Sequence, residues 1–152
     1  KDGPAIVVFY RGIWCPYCNL DLRAYQRLLP DIKKAGGQLI AISPQAPDTS
    51  LDTAEKNALT YPVLSDVNTD AAKGFGILFT LPDYLQKLYS RLGHGMDVVN
   101  ANGAWSLPVP ATFVIGTDGT IVARHVDTDY RNRMEPADAL NAILKANGQR
   151  AA

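Results

Sequence analysis

The sequence predicts an α/β protein with a mixed sheet covered by helices on both faces. An apolar run at 5–10, AIVVFY, predicts a strand buried on both sides, as in parallel sheets. A helical pattern and a second strand-like run at 38–43 follow it, which gives a βαβ unit with a right-handed crossover. Near the other end, two strand-like runs at 111–126 flank Asp118-Gly119, a pattern typical of a β-hairpin.

The first helix is predicted from an apolar face that begins just after Pro16, a residue suited to a first helical turn. The apolar positions follow one another at intervals of four and three residues and are Cys18, Leu22, Tyr25, Leu29 and Ile32. We expect Pro30 to kink or split this helix, and Gly36-Gly37 to end it.

An α-rich insertion separates the βαβ unit from the hairpin, and a last helix follows at 135–147. The insertion is expected to hold a helix at 49–59 capped by Thr49 or Ser50, a strand at 62–65, a short helix from Asn68 to Gly74, an amphipathic helix at 82–92 and a loop at 93–107. The sequence leaves open whether that loop covers a site or mediates a homodimer.

Composition narrows the classes of function. The chain has 152 residues, enough for one domain with its own core, and no apolar run as long as a membrane span. Because 15 basic residues balance 15 acidic ones, we expect no nucleic-acid or membrane partner. The two cysteines share one motif, which favours a redox site in a cytoplasmic protein over a secreted disulfide scaffold.

Both cysteines lie in Trp14-Cys15-Pro16-Tyr17-Cys18, at the head of the first helix. With Cys15 as N-cap, backbone N–H groups and the helix dipole favour its thiolate and lower its pKa. Cys18 falls on the inward face, so we expect it to be more buried. Cys15 would then attack a disulfide and Cys18 would resolve the mixed disulfide.

Several residues near the motif have two interpretations each. Arg11 adds positive charge beside the thiolate, or is a solvated loop residue. Trp14 and Tyr17 form an apolar rim for a substrate, or simply pack. Pro110 precedes a core strand and is either cis or trans.

Two alternatives for the cysteine pair itself are less favoured. A zinc site would need further ligands, for which His94 and His125 are the candidates, and they are far apart in sequence. Two inert core cysteines would not need a position at a helix start. The sequence therefore predicts no metal.

The run VVFYRGIWCPYC resembles thioredoxins, its CPYC tetrapeptide is shared with glutaredoxins, and VPATFVIGTDGTIV looks like the strand and hairpin of thioredoxin-like proteins. With FYRGIWCPYCNLDLRAYQ, AISPQ, AEKNALTYPVLSD, FGILFTLP and DYRNRMEP included, nearly the whole chain is similar to the peroxiredoxin-like AhpC/TSA (alkyl hydroperoxide reductase/thiol-specific antioxidant) family. The resemblance implies a three-layer sandwich and a single thioredoxin-like domain at 1–152. It also implies that a family segment usually precedes the first strand.

By resemblance to thioredoxins, Cys15 attacks, Cys18 resolves and Pro110 is the cis-proline beside them. Thioredoxins carry a buried acid where this chain has Phe9, so proton transfer must use another group. Aligned on peroxiredoxins, Cys18 takes the place of the peroxidatic cysteine and Cys15 replaces a threonine. Arg11 then replaces a proline, and Pro110 replaces an arginine.

Three functions follow, and the sequence favours the first, a dithiol–disulfide oxidoreductase with an antioxidant role. The alternative is a peroxiredoxin-type hydroperoxide reductase with Cys18 peroxidatic and Cys15 resolving. The third is a non-enzymatic binding module switched by redox state. We expect no cofactor beyond a redox-active disulfide. The expected partners are disulfide or hydroperoxide substrates and a thioredoxin- or glutathione-type thiol donor.

Overall fold

A five-stranded mixed sheet forms the centre of the computed structural model, which describes residues 3–148. The elements in chain order are β1 (Ala5–Phe9), α1 (Pro16–Lys34), β2 (Gln38–Ser43), α2 (Pro47–Lys56), β3 (Val63–Ser65), α3 (Asp70–Gly74), β4 (Leu78–Thr80), α4 (Asp83–Arg91), α5 (Met96–Val99), β5 (Ser106–Pro108), β6 (Ala111–Ile115), β7 (Ile121–Val126) and α6 (Pro136–Ala146). The strand order is β3-β2-β1-β6-β7.

Strand β1 is central because its side chains are apolar on both faces. It pairs in parallel with β2, with Val7 opposite Ile40, and antiparallel with β6, with Val7 opposite Phe113. The predicted βαβ unit is thereby confirmed. The predicted hairpin is confirmed by the antiparallel pairing of β6 with β7, in which Phe113 lies opposite Arg124.

The two faces of β1 are covered by different helices. Ile6, Val8 and Tyr10 pack with apolar residues of α1 and α6. Val7 and Phe9 point to the other face, where they pack with Phe113 and with Ala72 of α3. The prediction of helices on both faces is confirmed.

Helix α1 continues through Pro30 to Lys34, so the predicted split is wrong, while the predicted kink stays a prediction. Proline removes one backbone hydrogen bond, but Pro30 lies on the exposed side of the helix. On the opposite side, Leu29 and Ile32 are buried against the core and hold the helix together across the proline.

The start of α2 also differs from the prediction. The helix begins at Pro47 with Ala46 as its N-cap, rather than at Thr49 or Ser50. Proline fits the first helical position, since its missing N–H would have no partner there. Ser50 is instead buried and shares a hydrogen bond of 2.6 Å with the hydroxyl of Ser65.

The region at 93–107, predicted as a loop, contains the short helix α5 and most of β5, and β5 pairs antiparallel with β4. Each strand has only three residues, too few for a two-residue periodicity to appear. Helix α4 is present as predicted, but none of its residues is fully buried. Leu85 and Tyr89 pack inward, while Leu88 and Leu92 are exposed.

The peptide bond before Pro110 is trans, because residues 3–148 include no cis bond. The cis-proline implied by the resemblance to thioredoxins is therefore not present. Over the same residues, no helix combines the length and apolar character needed to cross a membrane.

Candidate active site

The start of α1 positions the two cysteines. Cys15 is the N-cap, and its Sγ accepts a hydrogen bond of 3.3 Å from the backbone N–H of Cys18. Pro16 occupies the first helical turn. The predicted N-cap geometry is confirmed, so a Cys15 thiolate would be stabilised by a backbone donor and by the helix dipole.

Cys15 and Cys18 are joined by a disulfide, and their Cα atoms are 5.3 Å apart. Both residues have an exposed fraction of 0 %. The expected difference in burial between them is therefore absent. Both cysteines belong to the buried core that also contains Leu22 and Tyr25 of α1.

Arg11 is buried beside Cys15 and is not a solvated loop residue. Its Nη2 lies 3.6 Å from the Sγ of Cys15, and its Nη1 donates to the hydroxyl of Tyr89 at 3.2 Å. The guanidinium lies over two aromatic rings, 5.0 Å from the centroid of Trp14 and 4.4 Å from that of Tyr130. These contacts hold a permanent positive charge at the first sulfur.

Arg133, which sequence reasoning missed, contacts the second sulfur. Its Nη2 lies 3.5 Å from the Sγ of Cys18, and its Nη1 is 3.2 Å from a carboxylate oxygen of Asp21. Arg133 follows β7 and is 115 residues from Cys18. The segment DYRNRMEP supported the family resemblance, but no local pattern within it marks this arginine as a site residue.

Asp21 is a buried acid one turn beyond Cys18. Burial raises its pKa to about 6, and the nearby Arg133 guanidinium only partly opposes that rise. Burial also lowers the pKa of Arg133, against the stabilising effect of Asp21. The site therefore contains a buried acid, Asp21, although Phe9 occupies the place of the thioredoxin acid and packs on Phe75 at 5.1 Å between ring centroids.

Further aromatic contacts involve the two rings that lie beside Arg11, those of Trp14 and Tyr130. The ring of Trp14 stacks on His94 at 5.4 Å, and Tyr17 meets Tyr130 edge-on at 5.5 Å. Tyr17 is 43 % exposed, so it stands at the edge of the site. A role for Trp14 and Tyr17 in substrate binding stays a prediction.

The remaining predicted residues are Pro110, His94 and His125. Pro110 lines a pocket together with Arg11. His125 belongs to β7 and lies opposite Thr112 of β6, whereas His94 stacks on Trp14. Within residues 3–148, no three His, Cys, Asp or Glu side chains are grouped as a metal site would require.

The mixed sheet, with a disulfide between two cysteines at the start of its first helix, places the chain in the thioredoxin-like class of folds. The chain belongs to the AhpC/TSA family, whose model matches residues 1–124.

Known peroxiredoxins are similar to this chain in sequence. The chain is 26 % identical over 145 residues to chloroplastic peroxiredoxin Q of Gentiana triflora, covering 95 % of this chain and 54 % of that protein. It is 26 % identical over 98 residues to peroxiredoxin Bcp of Escherichia coli K12, covering 64 % and 62 % of the two chains. The chain thus spans about half the length of its peroxiredoxin Q relatives.

Solved structures confirm the thioredoxin-like fold. Peroxidoxin BcpB of Mycobacterium tuberculosis superposes with a TM-score of 0.72 at 21 % identity, covering 99 % of this chain and 82 % of that one. Peroxiredoxin Q of Xanthomonas campestris gives 0.70 at 15 % identity, covering 97 % and 80 %.

Proposed function

We propose that this chain is a thiol peroxidase that reduces hydroperoxides through Cys18, with Cys15 as the resolving cysteine. The observation that carries the proposal is the Arg133 guanidinium, 3.5 Å from the Cys18 sulfur. The relatives named peroxiredoxin favour this reaction over the Cys15-led exchange that the sequence alone favoured.

The first step is attack by the Cys18 thiolate on a peroxide oxygen. A sulfur–oxygen bond forms, the oxygen–oxygen bond breaks, and the leaving oxygen takes a proton to become an alcohol or water. Cys18 becomes a sulfenic acid, because its sulfur loses two electrons and the peroxide gains them. Arg133 stabilises the thiolate before the step and the negative oxygen during it.

The second step uses Cys15. Its thiolate attacks the sulfenic sulfur of Cys18, a disulfide forms, and hydroxide leaves as water after taking a proton. The product is the Cys15–Cys18 disulfide of the structure. An external thiol then reduces it, and that donor is oxidised to its own disulfide.

Arg133 supplies a guanidinium that the sequence lacks at the position usual for peroxiredoxins. Peroxiredoxins place an arginine where this chain has Pro110, so the chain lacks that group at that position. Arg133, in the segment after β7, instead places its guanidinium at the Cys18 sulfur. Its hydrogen bond to Asp21 fixes the orientation of the two terminal nitrogens of the guanidinium.

Two single variants test the assignment. In Cys15→Ser, stoichiometric hydrogen peroxide should oxidise Cys18 rapidly, and dimedone followed by mass spectrometry should find the sulfenic acid on Cys18. Cys18→Ser should react no faster than a free thiol. Dimedone on Cys15, or slow oxidation of both variants, would contradict the proposal.

A second candidate is dithiol–disulfide exchange led by Cys15, which its N-cap position and the Arg11 contact favour. The same variants decide it. If exchange is the function, Cys18→Ser should trap a mixed disulfide between Cys15 and a disulfide substrate such as insulin. The peroxidase assignment predicts that this trapping is no faster than for a free thiol.

A further inference from the structure

We propose that the apolar pocket beside Arg11 binds the thiol that reduces the Cys15–Cys18 disulfide, and that it takes a small, apolar dithiol. This inference rests on the proposed peroxidase cycle, since it names the electron donor of that cycle. The pocket is formed by the insertion that separates the βαβ unit from the hairpin, together with Arg11, Pro110 and Tyr130.

The pocket has the size and the surface of a small-molecule site. Its volume is about 630 Å³, within the range of ligand cavities. Leu85 and Leu88 of α4 line one side, and Leu107 and Val109 line another. Among the described residues, those that line it include no Asp or Glu, so a neutral apolar ligand meets no carboxylate there.

Arg11 links the pocket to Cys15 rather than to Cys18. Arg11 lines it and also places Nη2 3.6 Å from the Cys15 sulfur. Arg133 and Asp21, the groups at Cys18, do not line it. A molecule held in the pocket is therefore one side chain, Arg11, away from the resolving sulfur, which is buried and does not itself line the pocket.

Arg11 also suits an incoming thiolate. Its Nε is buried and has no hydrogen-bond partner within residues 3–148. Its Nη1 is held by Tyr89, which lines the same pocket. The charge of Arg11 favours an anionic sulfur of the ligand beside it, and the leucines of α4 favour an aliphatic chain along that helix.

The reduction balances as two exchanges. The donor thiolate attacks the Cys15 sulfur, a mixed disulfide forms, and Cys18 leaves as a thiolate beside Arg133. The second thiol of the donor, after losing its proton, attacks the donor's own disulfide-bonded sulfur and closes a cyclic disulfide. Cys15 leaves and takes a proton, so the electron pair has passed from the dithiol to the protein.

The test measures reduction of the oxidised protein by stopped flow, with dihydrolipoamide as the apolar dithiol and dithiothreitol as the polar one. Leu88→Asp places a charge in the pocket, and Leu92→Asp makes the same change at an exposed leucine that does not line it. We expect Leu88→Asp to lower the dihydrolipoamide-to-dithiothreitol rate ratio about tenfold, as loss of one or two buried methylene contacts would. Leu92→Asp should keep the ratio of the unmodified protein.

Three results would overturn the proposal. The ratio could stay constant in Leu88→Asp, or both leucine variants could lower it equally. Alternatively, Leu88→Asp could slow oxidation by cumene hydroperoxide more than reduction by dihydrolipoamide, which would give the pocket to the peroxide. Failure of the peroxidase assignment itself is seen separately, as slow oxidation of the unmodified reduced protein by hydrogen peroxide.

Discussion

At the scale of single residues, each of the two cysteine sulfurs is contacted by a different arginine. Arg11 touches Cys15 from the segment after β1, and Arg133 touches Cys18 from the segment after β7. Each arginine is held by further contacts, Arg11 by aromatic rings and Arg133 by Asp21. The two half-reactions can therefore be altered separately.

Arg133→Met should slow oxidation by hydrogen peroxide about a hundredfold, the usual cost of removing a donor that stabilises a developing negative oxygen. The rate is followed by stopped-flow fluorescence of Trp14, which lies at the site. Arg133→Lys should recover part of the loss, since it restores the charge without the fork.

Arg131→Met is the matched control for Arg133. Arg131 is two residues away, exposed, and paired with Asp129 at 2.8 Å rather than with a sulfur. Its replacement should leave the oxidation rate unchanged. Equal losses in the two methionine variants would show that Arg133 acts through general charge and not through contact with Cys18.

At the scale of elements, the sequence was informative where a pattern is local. The buried strand β1, the apolar face of α1 and the Asp118-Gly119 hairpin were all predicted, as was Cys15 at the N-cap. What could not be predicted depends on distant pairing. The strands β4 and β5 are three residues long and exist because they pair with each other.

The same limit applies to the site. The CxxC motif and Arg11 are adjacent in sequence, whereas Arg133 comes to Cys18 only because the hairpin and α6 fold back over α1. Pro30 failed as a helix breaker for a related reason, since packing of its neighbours outweighs the lost hydrogen bond.

Helix α6 closes one face of the sheet, and Ile143 is its fully buried anchor. Ile143→Ala should lower the free energy of unfolding by about 2–5 kcal/mol, because it leaves a cavity against Ile32 and Gly37. Urea denaturation of the oxidised protein measures the change.

Lys145→Ala, at an exposed position of α6, is the control for this substitution. It should change the free energy of unfolding by no more than about 0.5 kcal/mol. Equal effects of the two variants would mean that α6 contributes helix propensity and not core packing.

At the scale of the whole molecule, the site is assembled from four separate regions of the chain. The end of β1 brings Arg11, the start of α1 brings the cysteines, the segment after β7 brings Tyr130 and Arg133, and the insertion brings Tyr89. The residues of the site therefore also contribute to the stability of the fold. Asp21, which pairs with Arg133, should make that stability depend on pH.

The free energy of unfolding of the oxidised protein should fall as pH rises from about 4 to about 6. The pKa of Asp21 is raised from 3.8 to about 6 in the folded state, so the folded state binds this proton more tightly. Its stabilising effect is complete below the unfolded pKa and is lost as pH passes the folded one. Arg133, Glu135 and His125 are the charged or titratable groups that act on it.

Asp21→Asn should remove this part of the pH dependence, a slope of at most about 1.4 kcal/mol per pH unit. Urea denaturation at several pH values between 4 and 7 measures the slope, and the slope is unaffected by any constant loss from breaking the Arg133 pair. Asp31→Asn, at an exposed position of α1, should keep the profile of the unmodified protein. If Asp21→Asn also kept that profile, the buried carboxyl would not be the group that couples stability to pH. The pair at Cys18 would then remain ionised throughout this range, with Arg133 fully compensating the burial of Asp21.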